Sequence, residues 1–214
     1  MITELEFKSL AAQGYNRIPL MAEAFADLET PLSLYLKLAH GRGDGKHSFL
    51  CESVVGGERF GRFSFIGLPA KIRIRVRGTH VEVEDRGGVT ERHDGDPLAF
   101  LQSFMGRYRA APQPGLPRFF GGAVGFLTYD IVRSFERLPS TKPDDLGLPE
   151  LCFAITDTVV IFDNLRGTLK VVSAVEVGNG PGVDLDRLYA DACRRIDGVL
   201  DRLAKPTPPM RALD

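Results

Sequence analysis

The sequence predicts an α+β fold, a mainly antiparallel β-sheet with flanking helices. Three observations carry this. Residues 70–77 and 80–84 alternate apolar and charged side chains on either side of Gly78-Thr79, the period-two pattern of half-buried strands. Two further β-rich runs, 151–162 and 168–177, flank a turn segment at 164–167. Hairpin signals of this kind outnumber β-helix-β crossovers.

In chain order, Thr3 and Glu6 have capping-box spacing and Gly14 supplies a stop, which predicts a helix over 3–13. Residues 17–26 are apolar with one proline, Pro19, and read as an edge strand, where a missing N–H is tolerated. Thr30-Pro31 opens a second helix, with Leu32, Leu36 and Leu38 or Ala39 expected to face its core. GRGDG at 41–45 reads as a loop. Short apolar strands follow at 48–52 and 62–66, about a turn at Gly56-Gly57. In the alternating pair, Ile72, Ile74, Val76, Val81 and Val83 face inward, while Lys71, Arg73, Arg75, Arg77, His80, Glu82 and Glu84 face out. A third strand is expected at 89–92, and Asp96-Pro97 caps a helix to about residue 109. A proline-rich connector, 112–117, leads to FFGGAVGF, then to a short helix ending near 137 and a polar loop at 139–149. The last helix, 183–203, places Leu185, Leu188, Ala192, Ile196, Val199 and Leu203 on one stripe. KPTPP at 205–209 has linker composition. The expected organisation is one domain over 1–204 followed by a linker, 205–214.

Composition narrows the class without giving a function. The 214 residues are 43% hydrophobic and 26% charged, with a net charge of -1. That balance gives no reason to expect nucleic acid or an anionic membrane as partner. The outward stripe of Lys71, Arg73, Arg75 and Arg77 has Glu82 and Glu84 across the hairpin to pair with. Three widely spaced cysteines, Cys51, Cys152 and Cys193, argue against a disulfide framework or zinc site and fit a reducing cytosol. No run approaches the ~18 apolar residues of a membrane span. His40, His47, His80 and His93 lack metal-ligand spacing, and no nucleophilic triad or phosphate loop emerges.

Two stretches are more specific. FLCESVVGGERFGRFSFIG, at 49–67, sets Glu52, Ser53, Glu58, Arg59, Arg62 and Ser64 around two short strands. A carboxylate, a hydroxyl and a guanidinium on adjacent strands can hold a ligand bearing an ammonium and a carboxylate. The same pattern also describes a glycine-rich hairpin whose charges pair with one another at the surface. FFGGAVGFLTYDIVRSFERLP, at 119–139, has glycines that either permit close backbone packing or shape a surface for another subunit. Tyr129, Asp130 and Arg133 read as structural polar partners.

The first stretch resembles the Leu-Leu-Glu-Ser element of anthranilate synthase large subunits and the GGER-x-GR-[FY]-SFIG run that continues it. The second resembles that family's GGAVGY-x-x-YD-x-VR-x-FE-x-LP signature. IPLMAEAFADLETPLSLYLKL, at 18–38, resembles its start. Leu50-Cys51 departs from Leu-Leu, a mild change if Cys51 is a small buried apolar residue. The chain is thus identified as resembling the amino-terminal region of anthranilate synthase component I. The resemblance implies a tryptophan feedback site to which Glu52 and Ser53 carry over, with Arg62 as its basic residue. It implies a cytoplasmic lyase of tryptophan biosynthesis that converts chorismate to anthranilate with magnesium, and a glutamine amidotransferase subunit that supplies ammonia. The family's chorismate and magnesium determinants lie in a larger carboxy-terminal domain. No catalytic residue, metal ligand or cofactor is therefore assigned to this chain, which alone is expected to be inactive. The same region of aminodeoxychorismate synthase, and a stand-alone amino-acid-binding or assembly module, are the alternatives.

Overall fold

The computed structural model describes residues 1–39, 47–52, 61–85, 88–139, 144–178, 180 and 182–208. The elements, in order, are α1 (Glu4–Ala12), β1 (Arg17–Phe25), α2 (Pro31–Leu38), β2 (Phe49–Cys51), β3 (Phe63–Gly67), β4 (Ile72–Arg77), β5 (His80–Asp85) and β6 (Gly88–Asp94). There follow α3 (Pro97–Gly106), β7 (Gly122–Leu127), a 3-10 helix (Tyr129–Ser134), β8 (Leu151–Thr156), β9 (Thr158–Asp163), β10 (Thr168–Glu176) and α4 (Leu185–Leu203). The strands form two five-stranded antiparallel sheets, ordered β1-β10-β9-β3-β2 and β6-β5-β4-β8-β7. The α+β expectation holds. Within the span read from sequence without a break there are two compact units: Met1–Pro69, Arg109–Gly121 and Asp157–Asp214 in one, Ala70–Tyr108 and Gly122–Thr156 in the other.

In the first unit, helices α1, α2 and α4 cover one face of the sheet. Their apolar stripes meet Ile18 and Leu20 of β1, Ile66 of β3, Val160 and Phe162 of β9, and Leu169, Val171 and Val175 of β10. Each helix starts as its sequence dictates. Thr3 and Glu6 cap α1 reciprocally, Thr30 and Ser33 do the same for α2, and the Asp184 carboxylate accepts the Arg187 N–H at the start of α4. The stripe on α4 is as read, with Ala192, Ile196 and Val199 fully buried. On α2 the reading holds in part: Leu38 and Ala39 are buried as expected, but Leu34 is buried where Leu32 was expected, and Leu32 is exposed. On the sheet's other face Val159, Ile161 and Val172 pack with Phe63, Phe65, Leu116, Phe119 and Phe120. Because β9 is covered on both faces, all six of its residues are buried. Strand β1 is the edge, as Pro19 implied. Two charged pairs directly opposite in the register tie it to β10: Arg17–Glu176 at 2.9 Å and Glu23–Lys170 at 2.6 Å. Phe49 takes the space left by the missing side chain of Gly67, where a Cβ would lie 1.9 Å from its ring. Cys51, expected to be buried, is exposed at the end of β2. Phe49 on its side of β2 reaches an aromatic partner, Phe119, and Leu50 on the other packs against the core.

In the second unit, α3 packs on one face of the other sheet. The core is Ile74, Val76, Val81, Val83, Phe100, Phe104, Leu151 and Ile155. The inward residues of β4 and β5 are those the alternation predicted, and full burial of such a side chain is worth roughly 1.5–3 kcal/mol. On the opposite face Arg73 stands across from Glu84 and Arg75 across from Glu82. Arg73 and Arg75 both pair with Glu84, and Arg75 lies 3.5 Å from Glu82. The outward Glu84 is consequently buried, at 8% exposure. Burial pushes its carboxyl up, but the two guanidinium groups outweigh this and hold it below the ordinary range. The GGAVG glycines serve backbone packing. Gly121 and Gly122 take φ of 153° and 115°. A Cβ on Gly125 would lie 1.9 Å from the Cys152 carbonyl oxygen of β8.

The run 151–162, read as one strand, is two. The chain leaves the second unit's sheet after Thr156 and enters the first unit's sheet at Thr158. Asp157 sits between them. Its carbonyl accepts the Ala174 N–H, and its carboxylate accepts the Thr158 hydroxyl and lies 3.7 Å from Arg195.

Candidate functional site

Within the 49–67 stretch, β2 and β3 pair antiparallel, with Cys51 opposite Phe65. Glu52 follows the last paired residue of β2 and is exposed. Ser53, the turn at Gly56-Gly57, Glu58 and Arg59 lie outside the described residues, as does the loop at 41–45. Arg62 immediately precedes β3, which lies between β2 and β9.

Arg62 is engaged. Its Nη2 donates to Asp163 Oδ2 at 2.9 Å and its Nε to both carboxylate oxygens at 3.3 Å. The guanidinium also lies 4.8 Å from the Phe63 ring centre. Asp163, the last residue of β9, is 3% exposed. Burial raises the pKa of its carboxyl. Arg62 and the N–H groups of Arg166 and Leu165 outweigh that and hold it below the usual carboxylate range. The next residue, Asn164, donates from its backbone N–H to the Arg62 carbonyl at 2.8 Å. Its side-chain Nδ2 donates to the Gly61 carbonyl at 2.9 Å and to Ser64 Oγ at 3.1 Å. The turn between β9 and β10 therefore grips the start of β3 through side chains and backbone together. Sequence reading found the turn at 164–167 but not the role of Asp163. The signal was an Asp-Asn pair at a strand end, where short polar side chains bond back to the backbone of a turn.

The second unit carries a cleft of about 420 Å³ lined by Gly78, Thr79, Asp96, Asp130, Arg133 and Glu150. Its polar groups already have work in the fold. Asp96 caps α3, Glu150 accepts the Gly78 N–H, and Arg133 pairs with Asp130 and donates to the Leu138 carbonyl. Arg133 and Asp130 are thus structural partners as read, whereas Tyr129 is 89% exposed. Among the described residues no group of three His, Cys, Asp or Glu side chains could hold a metal ion, and no helix is long and apolar enough to cross a membrane.

This architecture is that of a known enzyme subunit. The chain superposes on the crystal structure of anthranilate synthase component I from Streptococcus pneumoniae TIGR4 with a TM-score of 0.54, over 86% of this chain and 37% of that one. At 24% identity the match speaks for the fold alone. Sequence similarity goes further. The chain is 46% identical over 212 residues to anthranilate synthase component 1 of Pseudomonas putida, covering 98% of this chain and 41% of that protein. It is 45% identical to that of Pseudomonas aeruginosa, with the same coverage, and 37% identical over 176 residues to that of Aquifex aeolicus. No family model matches. The chain belongs to the anthranilate synthase component 1 family and corresponds to the amino-terminal region of its members. It spans about two-fifths of the length of the Pseudomonas proteins.

Proposed function

We propose that this chain is the tryptophan-sensing, regulatory part of an anthranilate synthase component I. The whole enzyme would convert chorismate to anthranilate with magnesium and with ammonia from a glutamine amidotransferase subunit. The observation that carries this reading is the element at 49–67, which the family resemblance associates with feedback and whose strands β2 and β3 pair antiparallel, with the Arg62 guanidinium just before β3. Glu52 meets the ammonium of tryptophan, Ser53 completes a polar contact, and Arg62 provides positive charge near the carboxylate. Catalysis and magnesium binding belong to the carboxy-terminal domain of the full-length enzyme.

The test is Ser53→Ala and Glu52→Gln in the full-length enzyme, read by anthranilate fluorescence with ammonium as nitrogen donor. Losing a hydrogen bond to a charged group costs roughly 1.5–3 kcal/mol, about ten- to hundredfold in affinity. The inhibition constant for tryptophan should rise by that factor while uninhibited turnover and melting temperature stay near wild type. An unchanged inhibition constant in both variants would remove this element from the effector site.

A further inference from the structure

Asp163 is a buried carboxylate on a strand with no catalytic assignment. A buried ion pair is weak support for stability, because well-packed apolar residues often serve as well. Here the carboxylate does two things an apolar residue could not. Its Oδ1 accepts the N–H groups of Leu165 at 3.1 Å and Arg166 at 3.3 Å, which shapes the β9–β10 turn. It also accepts the guanidinium of Arg62 along the Nε–Nη2 edge. Asn164, on the surface beside it, donates from its side chain to the Gly61 carbonyl before the same arginine and to the Ser64 hydroxyl after it. The contacts converge on Arg62, just before β3 in the 49–67 element.

We propose that Asp163 is a positioning residue for tryptophan feedback, with Asn164 as its auxiliary. Together they fix where Arg62 and the start of β3 stand relative to β9, and so set the geometry in which the effector element receives its ligand. Asp163 touches no ligand and acts through Arg62. The inference rests on the tryptophan reading of that element, and adds a residue about a hundred positions further along the chain that no feature of the element itself points to.

The test uses the full-length enzyme with ammonium as nitrogen donor. Asp163→Asn keeps size and some hydrogen bonding but loses the charge. Asp163→Glu keeps the charge. Asn164→Ala removes an exposed side chain and is safe for folding. Ile196→Val, in the helix-covered core of the same unit, is a control that destabilises without touching Arg62. Residues off the ligand modulate a site by roughly two- to thirtyfold. Asp163→Asn should raise the inhibition constant for tryptophan within that range, Asp163→Glu should restore part of it, and Asn164→Ala should raise it two- to threefold. Turnover and KM for chorismate without tryptophan should stay within about twofold, and Ile196→Val should leave inhibition unchanged. If Asp163→Asn does not fold, Asn164→Ala decides alone. A wild-type enzyme insensitive to tryptophan would sink the feedback reading and this inference with it. A sensitive wild type whose Asn164→Ala, and Asp163→Asn where it folds, keep the wild-type inhibition constant would overturn the positioning role alone. So would variants that lose turnover and stability with inhibition intact.

Discussion

Gly125→Ala tests the packing of the second unit most directly. Gly125 lies opposite Phe153 in the β7–β8 ladder. The added methyl would sit 1.9 Å from the Cys152 carbonyl oxygen and 2.8 Å from the Phe153 Cα, where ordinary contact begins at 3.4 Å. Both obstacles are backbone, so no rotamer change relieves them, and β7 must move off β8. Overpacking costs about 1–3 kcal/mol, and each ladder hydrogen bond lost adds about 1 kcal/mol. Against this, alanine restricts the unfolded chain by about 0.4–1 kcal/mol. The net expectation is a loss of about 2–3 kcal/mol. With a urea slope of about 2 kcal/mol per molar, the midpoint of the second unit's transition falls by about 1 M. Gly198→Ala is the matched control. Gly198 lies within α4, its Cβ would meet nothing within 4 Å, and the same substitution there should stabilise by about 1 kcal/mol. Circular dichroism in urea reads both. A Gly125→Ala midpoint within 0.2 M of the parent would refute the reasoning, since the clash leaves no room for a neutral outcome.

Acid should weaken both units. The folded-state pKa values of Asp163 and Glu84 lie below their ordinary values, so their contribution is complete above the unfolded pKa values, near 3.9 and 4.3, and is lost as pH falls through the folded ones; urea midpoints should be flat from pH 7 to about 5 and drop below pH 4, and replacing Glu84 by Gln should flatten the acid limb. Thiol labelling should separate the cysteines: Cys51 is exposed, whereas burial pushes the Cys152 thiol up, so iodoacetamide at neutral pH should modify Cys51 first, with mass spectrometry giving the order.

The half-buried parts of the fold were legible because each face writes its own pattern. The alternation over 72–84 gave strands, faces and the Arg–Glu pairing across them, and Thr3, Thr30 and Asp96 marked helix starts that the structure keeps. Errors fell where the pattern underdetermines phase or coverage. Helix α2 has eight residues, too few turns to tell a stripe that includes Leu34 from one that includes Leu32, although Leu38 faces the core as expected. Residues 151–162 looked continuous because β8 is apolar on one face and β9 on both, and only Asp157 hinted that the sheet changes. Glu84 obeys the alternation yet is buried, because two long arginine side chains lie against it. In the candidate site, the family resemblance singled out Arg62 as the basic residue. Its partner, Asp163, lies about a hundred residues away, and strand pairing over that distance leaves no trace in local spacing.

The edge position of β1 has a consequence for the newborn chain. Strand β1 occupies residues 17–25, but its one ladder partner among the described residues is β10, at 168–176. A ribosome adding about 5–20 residues per second needs on the order of 10–30 s to travel from one to the other. Through that interval β1 is synthesised, exposed and unable to pair as it does in the finished fold. The β4–β5 hairpin, closed by Gly78-Thr79, has no such wait. Loop closure over some 150 residues precedes any reward from the β1–β10 ladder, which places the first unit among slow, non-local folders. The chain's earliest strand is thus among the last to be secured, and Pro19, Arg17 and Glu23 along it are the kinds of residue that keep a waiting edge from pairing with a neighbour's.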